Sequence, residues 1–292
     1  MEFSMKISDI YRRKKTVITC EVFPPKKGTE PDSLYSAIAQ LKELNPDFIS
    51  VTYSAGGSGG SDATIDIAAN IKNRYGIEGL AHQICIDSSW DQIDSNIKRM
   101  RTLGLENIMS LRGDAVSGEE PAGEFRYASD MITKIKAEYP DMCIGAAAYP
   151  EGHFQSESLD KDIENLKIKV DAGADFLVTQ LFFDNRFFYE FFDRLIAAGI
   201  KIPVSAGIMP ILSKAQIQKM IFMCGASLPA QIIKMLGKYE NDAAGLRAAA
   251  IEYSVNQIND LAAHKVDGIH IYTMNRPEIA ASCLAGYKYR EV

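Results

Sequence analysis

Several features that would place the chain outside the ordinary soluble enzymes are missing. Its five cysteines, Cys20, Cys85, Cys143, Cys224 and Cys283, form no Cys-x-x-Cys pair, so neither a zinc site nor a dithiol redox motif is written in the sequence. Their odd number and wide spacing fit a reducing compartment, and three fall in apolar runs where a thiol packs as a small hydrophobe. No uninterrupted apolar stretch approaches the ~18 residues a membrane span needs, and no apolar signal core opens the chain. A cytoplasmic location, away from membranes, is expected. Long basic stretches are also lacking. With 38 acidic residues against 32 basic ones and a formal charge of -6, nucleic acid is not expected as a partner. The one basic tetrad, Arg12-Arg13-Lys14-Lys15, precedes the first strand and reads as a solvated helix end. No low-complexity tract or long repeat interrupts the pattern.

What is present is a recurring βα unit. Hydrophobic residues make up 47% and charged residues 24% of 292, enough for a sizeable core. Eight short apolar runs occur at 16–22, 48–51, 79–81, 107–111, 143–148, 176–179, 203–206 and 268–271. Segments of helical periodicity separate them, which predicts an α/β fold of the closed (β/α)8 TIM-barrel type, in one domain over 1–292. The length exceeds the ~250 residues typical of that barrel. A short N-terminal helix across the barrel floor and extra helices between strands seven and eight account for the surplus.

Active groups of such barrels sit at the carboxyl ends of the strands, and the runs end in polar residues. Glu21 lies inside the first run, where burial is expected to raise its pKa and suit it to general acid work; a structural ion pair is the alternative. Thr52, His82, Arg112-Gly113-Asp114, Tyr149, Gln180, Tyr272 and Arg276 follow the other runs. His82 and His153 have no third ligand at metal spacing, so no metal is expected. The glycine-rich stretch 54–61 has no Lys-Ser or Lys-Thr to complete a P-loop and reads as a substrate-side loop. The connection with Gly118, Pro121 and Gly123 is longer than usual for a βα loop. A helix over 159–172 displays Asp162, Asn165 and Lys169 on one face.

Taken as a set, Glu21-Val22-Phe23-Pro24-Pro25, Val51-Thr52-Tyr53, Leu111-Arg112-Gly113-Asp114, Ala148-Tyr149-Pro150-Glu151, Thr179-Gln180-Leu181-Phe182-Phe183-Asp184 and Tyr272-Thr273-Met274-Asn275-Arg276 resemble the methylenetetrahydrofolate reductase family over almost the whole chain. The likeness is to the compact bacterial catalytic form. It implies an FAD-dependent oxidoreductase of one-carbon metabolism and methionine biosynthesis. Such an enzyme reduces 5,10-methylenetetrahydrofolate with electrons from NADH or NADPH, the two substrates using one flavin face in turn.

The resemblance implies Glu21 as proton donor and Asp114 as the carboxylate that favours a cationic intermediate. As FAD contacts it implies Thr52, Tyr53, Ala55, His82, Arg112, Gly113, Asp114, Tyr127, Ala128, Tyr149, His153, Asp162, Asn165 and Lys169. Folate would be held by Gln180, Gln216 and Arg276. Two positions depart from the family pattern: Ile168, where an arginine often helps bind FAD phosphates, and Met220, where some members place an aromatic residue against the reductant. A homo-oligomer is expected, with a protein subunit as a further candidate electron donor. A flavin-free folate reductase and a non-catalytic partner subunit on the same barrel are the other readings.

Overall fold

The computed structural model describes residues 5–25, 32–53, 60–114 and 123–289. Ala55, most of the glycine-rich stretch, and Gly118 and Pro121 lie outside the described residues.

Eight strands, β1 (Val17–Val22), β2 (Phe48–Val51), β3 (Glu78–Ile84), β4 (Asn107–Leu111), β5 (Cys143–Ala148), β6 (Phe176–Thr179), β7 (Val204–Ile208) and β8 (Gly268–Tyr272), pair in sequence order. β8 closes on β1, and every pairing is parallel. Around them run α1 (Ile7–Arg13), α2 (Asp32–Lys42), α3 (Gly60–Tyr75), α4 (Trp90–Thr102), α5 (Ala128–Glu138), α6 (Leu159–Asp171), α7 (Asn185–Ala197), α8 (Lys214–Cys224), α9 (Ala230–Lys238), α10 (Ala243–Ala263) and α11 (Pro277–Ala285). The barrel, the N-terminal helix and the extra helices α8 and α9 before β8 agree with the sequence pattern.

Side-chain alternation divides the core in two. On β1, Cys20 and Val22 face the helices, within one cluster that links the strands to the surrounding helices. Val17 faces the lumen with Phe48, Leu80, Met109 and Phe176, the inward alternation a packed barrel requires. Each such fully buried side chain contributes about 1.5–3 kcal/mol. α1 seals the floor: Ile7 and Ile10 join the lumen cluster, the Tyr11 ring lies 5.6 Å from Phe176, and its hydroxyl meets Ser205 Oγ at 2.8 Å.

Serine and aspartate side chains start the helices after several of these strands. Ser89 forms a capping box with Gln92 ahead of α4, and Ser158, Asp184 and Ser213 accept amide hydrogens at the starts of α6, α7 and α8. Such caps contribute about 1 kcal/mol each and fix where the βα loops end. Among the described residues, no helix is long and apolar enough to cross a membrane.

Candidate active site

Glu21 stands one residue from the end of β1, in register with Ser50 of β2 and Tyr272 of β8. Parity with Val17 and Thr19 turns it into the lumen. There its Oε2 is 3.6 Å from His82 Nε2, 3.5 Å from His270 Nε2 and 3.3 Å from Ser50 Oγ, which donates to it. These residues line a cavity of about 310 Å³ at the barrel mouth, with Gln180, Tyr149 and Tyr272. A larger cavity of about 750 Å³ opens beside the barrel floor, lined by Lys14, Lys15 and Lys265. It lies away from the strand carboxyl ends, and the Lys14 ammonium is already paired with Asp47.

The electrostatics correct the sequence expectation for Glu21. Burial pushes its carboxyl up, but the His270 contact, the two nearby imidazoles and the Ser50 hydrogen bond together bring it below its ordinary value. Burial drives His82 down to about 4, partly opposed by Glu21. His82 is therefore neutral near pH 7. The carboxylate, and not the neutral acid, is the favoured form in the ligand-free site. The 3.5 Å contact with His270 is an ion-pair distance, longer than a hydrogen bond, and His270 Nε2 is otherwise buried without a partner among the described residues.

His82 also sets an acid limit on stability. An unfolded imidazole takes a proton near 6.5, whereas the native one resists until about 4, so this contribution is complete above 6.5 and lost as pH falls towards 4. Between pH 7 and 5 the loss amounts to about 2 kcal/mol. Urea titrations at the two pH values are expected to show it, and His82→Gln is expected to flatten the difference.

A second group of residues forms a polar shelf along β4, β5 and α6. Arg112 Nη2 donates to Gln155 Oε1 at 2.6 Å and its Nε to Gly113 O at 3.2 Å. Asp162 is buried and accepts from Ser156 Oγ at 2.7 Å. Lys169 Nζ donates to Ala147 O at 2.8 Å and sits 5.7 Å from the Tyr149 ring. Burial lowers Lys169 to about 8, against the attraction of Asp162 and helped by repulsion from Arg112. The Tyr149 and His153 rings meet edge to face at 4.7 Å. Burial, and next the Arg112 charge, lower the His153 imidazole, which makes it a neutral hydrogen-bonding group.

The remaining expected contacts are more dispersed. Thr52 and Tyr53 leave β2 half-buried, and Asp114 is exposed just beyond β4. Asn165 lies exposed on α6. Tyr127 is 50% exposed beside the buried Ala128 at the start of α5. Gln180 Oε1 accepts from the Leu181 amide at 2.9 Å. Gln216 Oε1 accepts from Leu212 N at 2.6 Å, leaving its Nε2 buried and unpartnered among the described residues. Arg276 is exposed at the start of α11 and, like Gln216, stands outside the cavity lining.

Ser50, Thr19 and His270 carry no functional expectation from the sequence. Thr19 Oγ1 hydrogen-bonds His270 Nδ1 across the β1–β8 pairing. The available signal is period two: a histidine at the centre of an apolar run, with Tyr272 two residues later, faces the same way as Tyr272. Gly207 is a further structural requirement. Its amide donates to Thr179 Oγ1 at 2.9 Å, and a Cβ there would overlap the Thr179 carbonyl oxygen and approach the Tyr272 ring to 2.8 Å. Gly207→Ala is expected to cost about 1–3 kcal/mol and to loosen the 2.7 Å bond from the Tyr272 hydroxyl to Thr179 O. Urea denaturation checks the first effect.

The family model described as Methylenetetrahydrofolate reductase matches residues 6–286, an interval holding all eight strands and the whole barrel mouth. The chain belongs to the methylenetetrahydrofolate reductase family. Methylenetetrahydrofolate reductase 1 of Schizosaccharomyces pombe is 38% identical over 280 residues, which is 93% of this chain and 46% of that protein. The chain therefore spans about half the length of that relative. The 5,10-methylenetetrahydrofolate reductase of Escherichia coli is 35% identical over 263 residues, 90% of this chain and 88% of that one. A solved structure of a Clostridium thermocellum protein that binds two copies of 5-methyl-5,6,7,8-tetrahydrofolic acid superposes with a TM-score of 0.62 at 17% identity, covering 97% and 98% of the two chains. At that identity the likeness shows the fold alone. For a methylenetetrahydrofolate reductase family member, Ile168 is notable: it places an apolar side chain, 55% exposed, next to Lys169 on α6. Met220, the other departure, lines the mouth cavity.

Proposed function

We propose that the protein reduces 5,10-methylenetetrahydrofolate to 5-methyltetrahydrofolate through bound FAD, with NADH or NADPH as the electron source. The observation that carries the reading is Glu21, held between two imidazoles at the mouth of a family-typical barrel and adjoined by a shelf bearing two cations and a buried carboxylate.

The donor set suits a flavin dinucleotide. Lys169 has one protein acceptor among the described residues and is desolvated without full compensation, a situation that an anionic ligand relieves. Arg112 lies close enough to repel it, and both would be available to hold the cofactor's diphosphate. Asp162 and Asn165 offer an acceptor and an amide to ribose hydroxyls. Thr52, Tyr53, Ala55, His82, Gly113, Tyr127, Ala128, Tyr149 and His153 complete the contacts. Gln180, Gln216 and Arg276 hold folate, the unpartnered Gln216 Nε2 being available to a carbonyl or carboxylate.

When bound, FAD supplies the hydride. Glu21 donates a proton to the amine nitrogen that leaves as the methylene bridge opens, which produces an iminium cation at the transferable carbon. The Asp114 carboxylate favours that cation, more strongly once ligand excludes water. Folate and nicotinamide take turns at one site, the first product leaving before the second substrate binds.

Anaerobic addition of NADH and NADPH in turn to the purified flavoprotein, followed by methylenetetrahydrofolate, tests the reading. Bleaching by at least one nucleotide and recovery of colour with 5-methyltetrahydrofolate as product are expected. Reduction by neither nucleotide points instead to a protein electron donor, and a preparation that refuses FAD ends the flavin assignment.

A further inference from the structure

Glu21 is favoured as a carboxylate in the ligand-free site, yet the reaction proposed above needs it to give up a proton. The geometry offers a buried neighbour that can supply it. His270 is 1% exposed. Its Nδ1 is fixed by Thr19 Oγ1, and its Nε2 points at Glu21 Oε2 from 3.5 Å with no other partner among the described residues. A threonine hydroxyl both donates and accepts, so the Thr19 contact accommodates the ring with or without a proton on Nδ1. The unmatched atom of His270 is therefore the one facing the carboxylate.

We propose that His270, seated on Thr19, stores the proton that Glu21 delivers to the leaving amine, acting as a positioning residue through Glu21; this rests on the folate-reductase reading. Before folate binds, the shared proton lies on His270 Nε2 and Glu21 is anionic. Substrate excludes water and presents an amine to the carboxyl. The proton passes from Nε2 to Oε2 and on to the amine nitrogen as its bond to the methylene carbon breaks, the bonding pair remaining on nitrogen. Hydride then fills the iminium carbon. His270 is left neutral beside a Glu21 carboxylate, and one proton from solvent restores the pair after product leaves.

The surroundings allow little competition. β1 presents Thr19 and Glu21 to His270, β3 presents His82, and on β8 the Tyr272 ring stands 5.0 Å away with its hydroxyl given to Thr179 O. β7 adjoins through Gly207, which carries no ionisable group. His82 is also 3.6 Å from Oε2, but its low proton affinity leaves it as a neutral neighbour.

The test uses the FAD-loaded enzyme and resolves the two half-reactions by anaerobic stopped flow between pH 6 and 9. His270→Gln is expected to slow reoxidation by methylenetetrahydrofolate about 10- to 100-fold and to shift the alkaline fall of that rate to lower pH by about one unit or more. The reductant half-reaction is the internal reference. Thr19→Val is expected to give a smaller change in the same direction, and Thr19→Ser to restore the wild-type profile; these two carry the test if His270→Gln fails to fold. A ring-nitrogen NMR spectrum gives an independent readout: at pH 7 His270 should carry two ring protons in the wild-type protein and one in Glu21→Gln. An unshifted pH profile with a neutral His270 in both proteins overturns the proposal while leaving the folate-reductase reading intact. Failure of wild-type enzyme to be reoxidised by folate overturns that reading itself.

Discussion

Glu21→Gln is expected to slow methylenetetrahydrofolate reduction by about 10²–10⁴-fold, the usual contribution of a positioned general acid. FAD should remain bound and should still accept electrons from the nicotinamide. The separation follows from position: Glu21 sits in the lumen with Ser50, His82 and His270, whereas the shelf proposed to hold FAD stands on β4, β5 and α6. Glutamine keeps the size of the side chain and an acceptor for Ser50 but has no transferable proton. Rapid mixing of each reduced protein with folate measures the effect. A comparable loss in both half-reactions would indicate that Glu21 shapes the flavin site and is not a proton donor.

Lys169→Met carries the second large effect, with opposite consequences for affinity and stability. Loss of a charge-assisted bond to phosphate costs about 1.5–3 kcal/mol, or about 10- to 100-fold in FAD affinity. The flavin-free variant should nevertheless be more stable than wild type near neutral pH. Native Lys169 binds its proton less tightly than the unfolded chain does, about 8 against 10.5, so burying the ammonium is unfavourable below pH 8 and ceases to be so only above 10.5. For the same reason wild-type affinity for FAD should decline as pH rises through about 8, and the variant should lack that decline. Fluorescence titration with FAD between pH 6.5 and 9.5, with urea melts of the flavin-free proteins, checks both signs. On the proposed reading, apolar Ile168 next to it on α6 leaves Lys169 to carry more of the phosphate binding than it would beside an arginine.

The barrel is legible in the sequence because each strand is a short apolar run closed by a helix, and local pattern suffices for that. Strand limits are less legible where a residue faces the lumen. His82 and Gly207, which follow apolar runs at 79–81 and 203–206, lie inside β3 and β7, since an inward polar or small residue ends an apolar run without ending the backbone pairing. The polar shelf is legible through Arg112, Asp162 and Lys169, and the Asp162 charge does act on Lys169. The protonation of Glu21 is not. Burial, which the sequence implies, raises its pKa; the groups that outweigh burial come from β2, β3 and β8, and closure of the barrel brings them together. His270 escapes notice for a related reason, since it reads as part of an apolar strand until β8 pairs with β1.

The most direct measurement is a single turnover: NADH- or NADPH-reduced protein, freed of nucleotide, mixed anaerobically with one equivalent of methylenetetrahydrofolate while flavin absorbance and product are followed together. Reoxidation coincident with 5-methyltetrahydrofolate formation, fast in wild type and nearly abolished in Glu21→Gln, is the expected result. Flavin that stays reduced in the wild-type protein, or that reoxidises equally fast without Glu21, would contradict a proton donor at the mouth of this barrel.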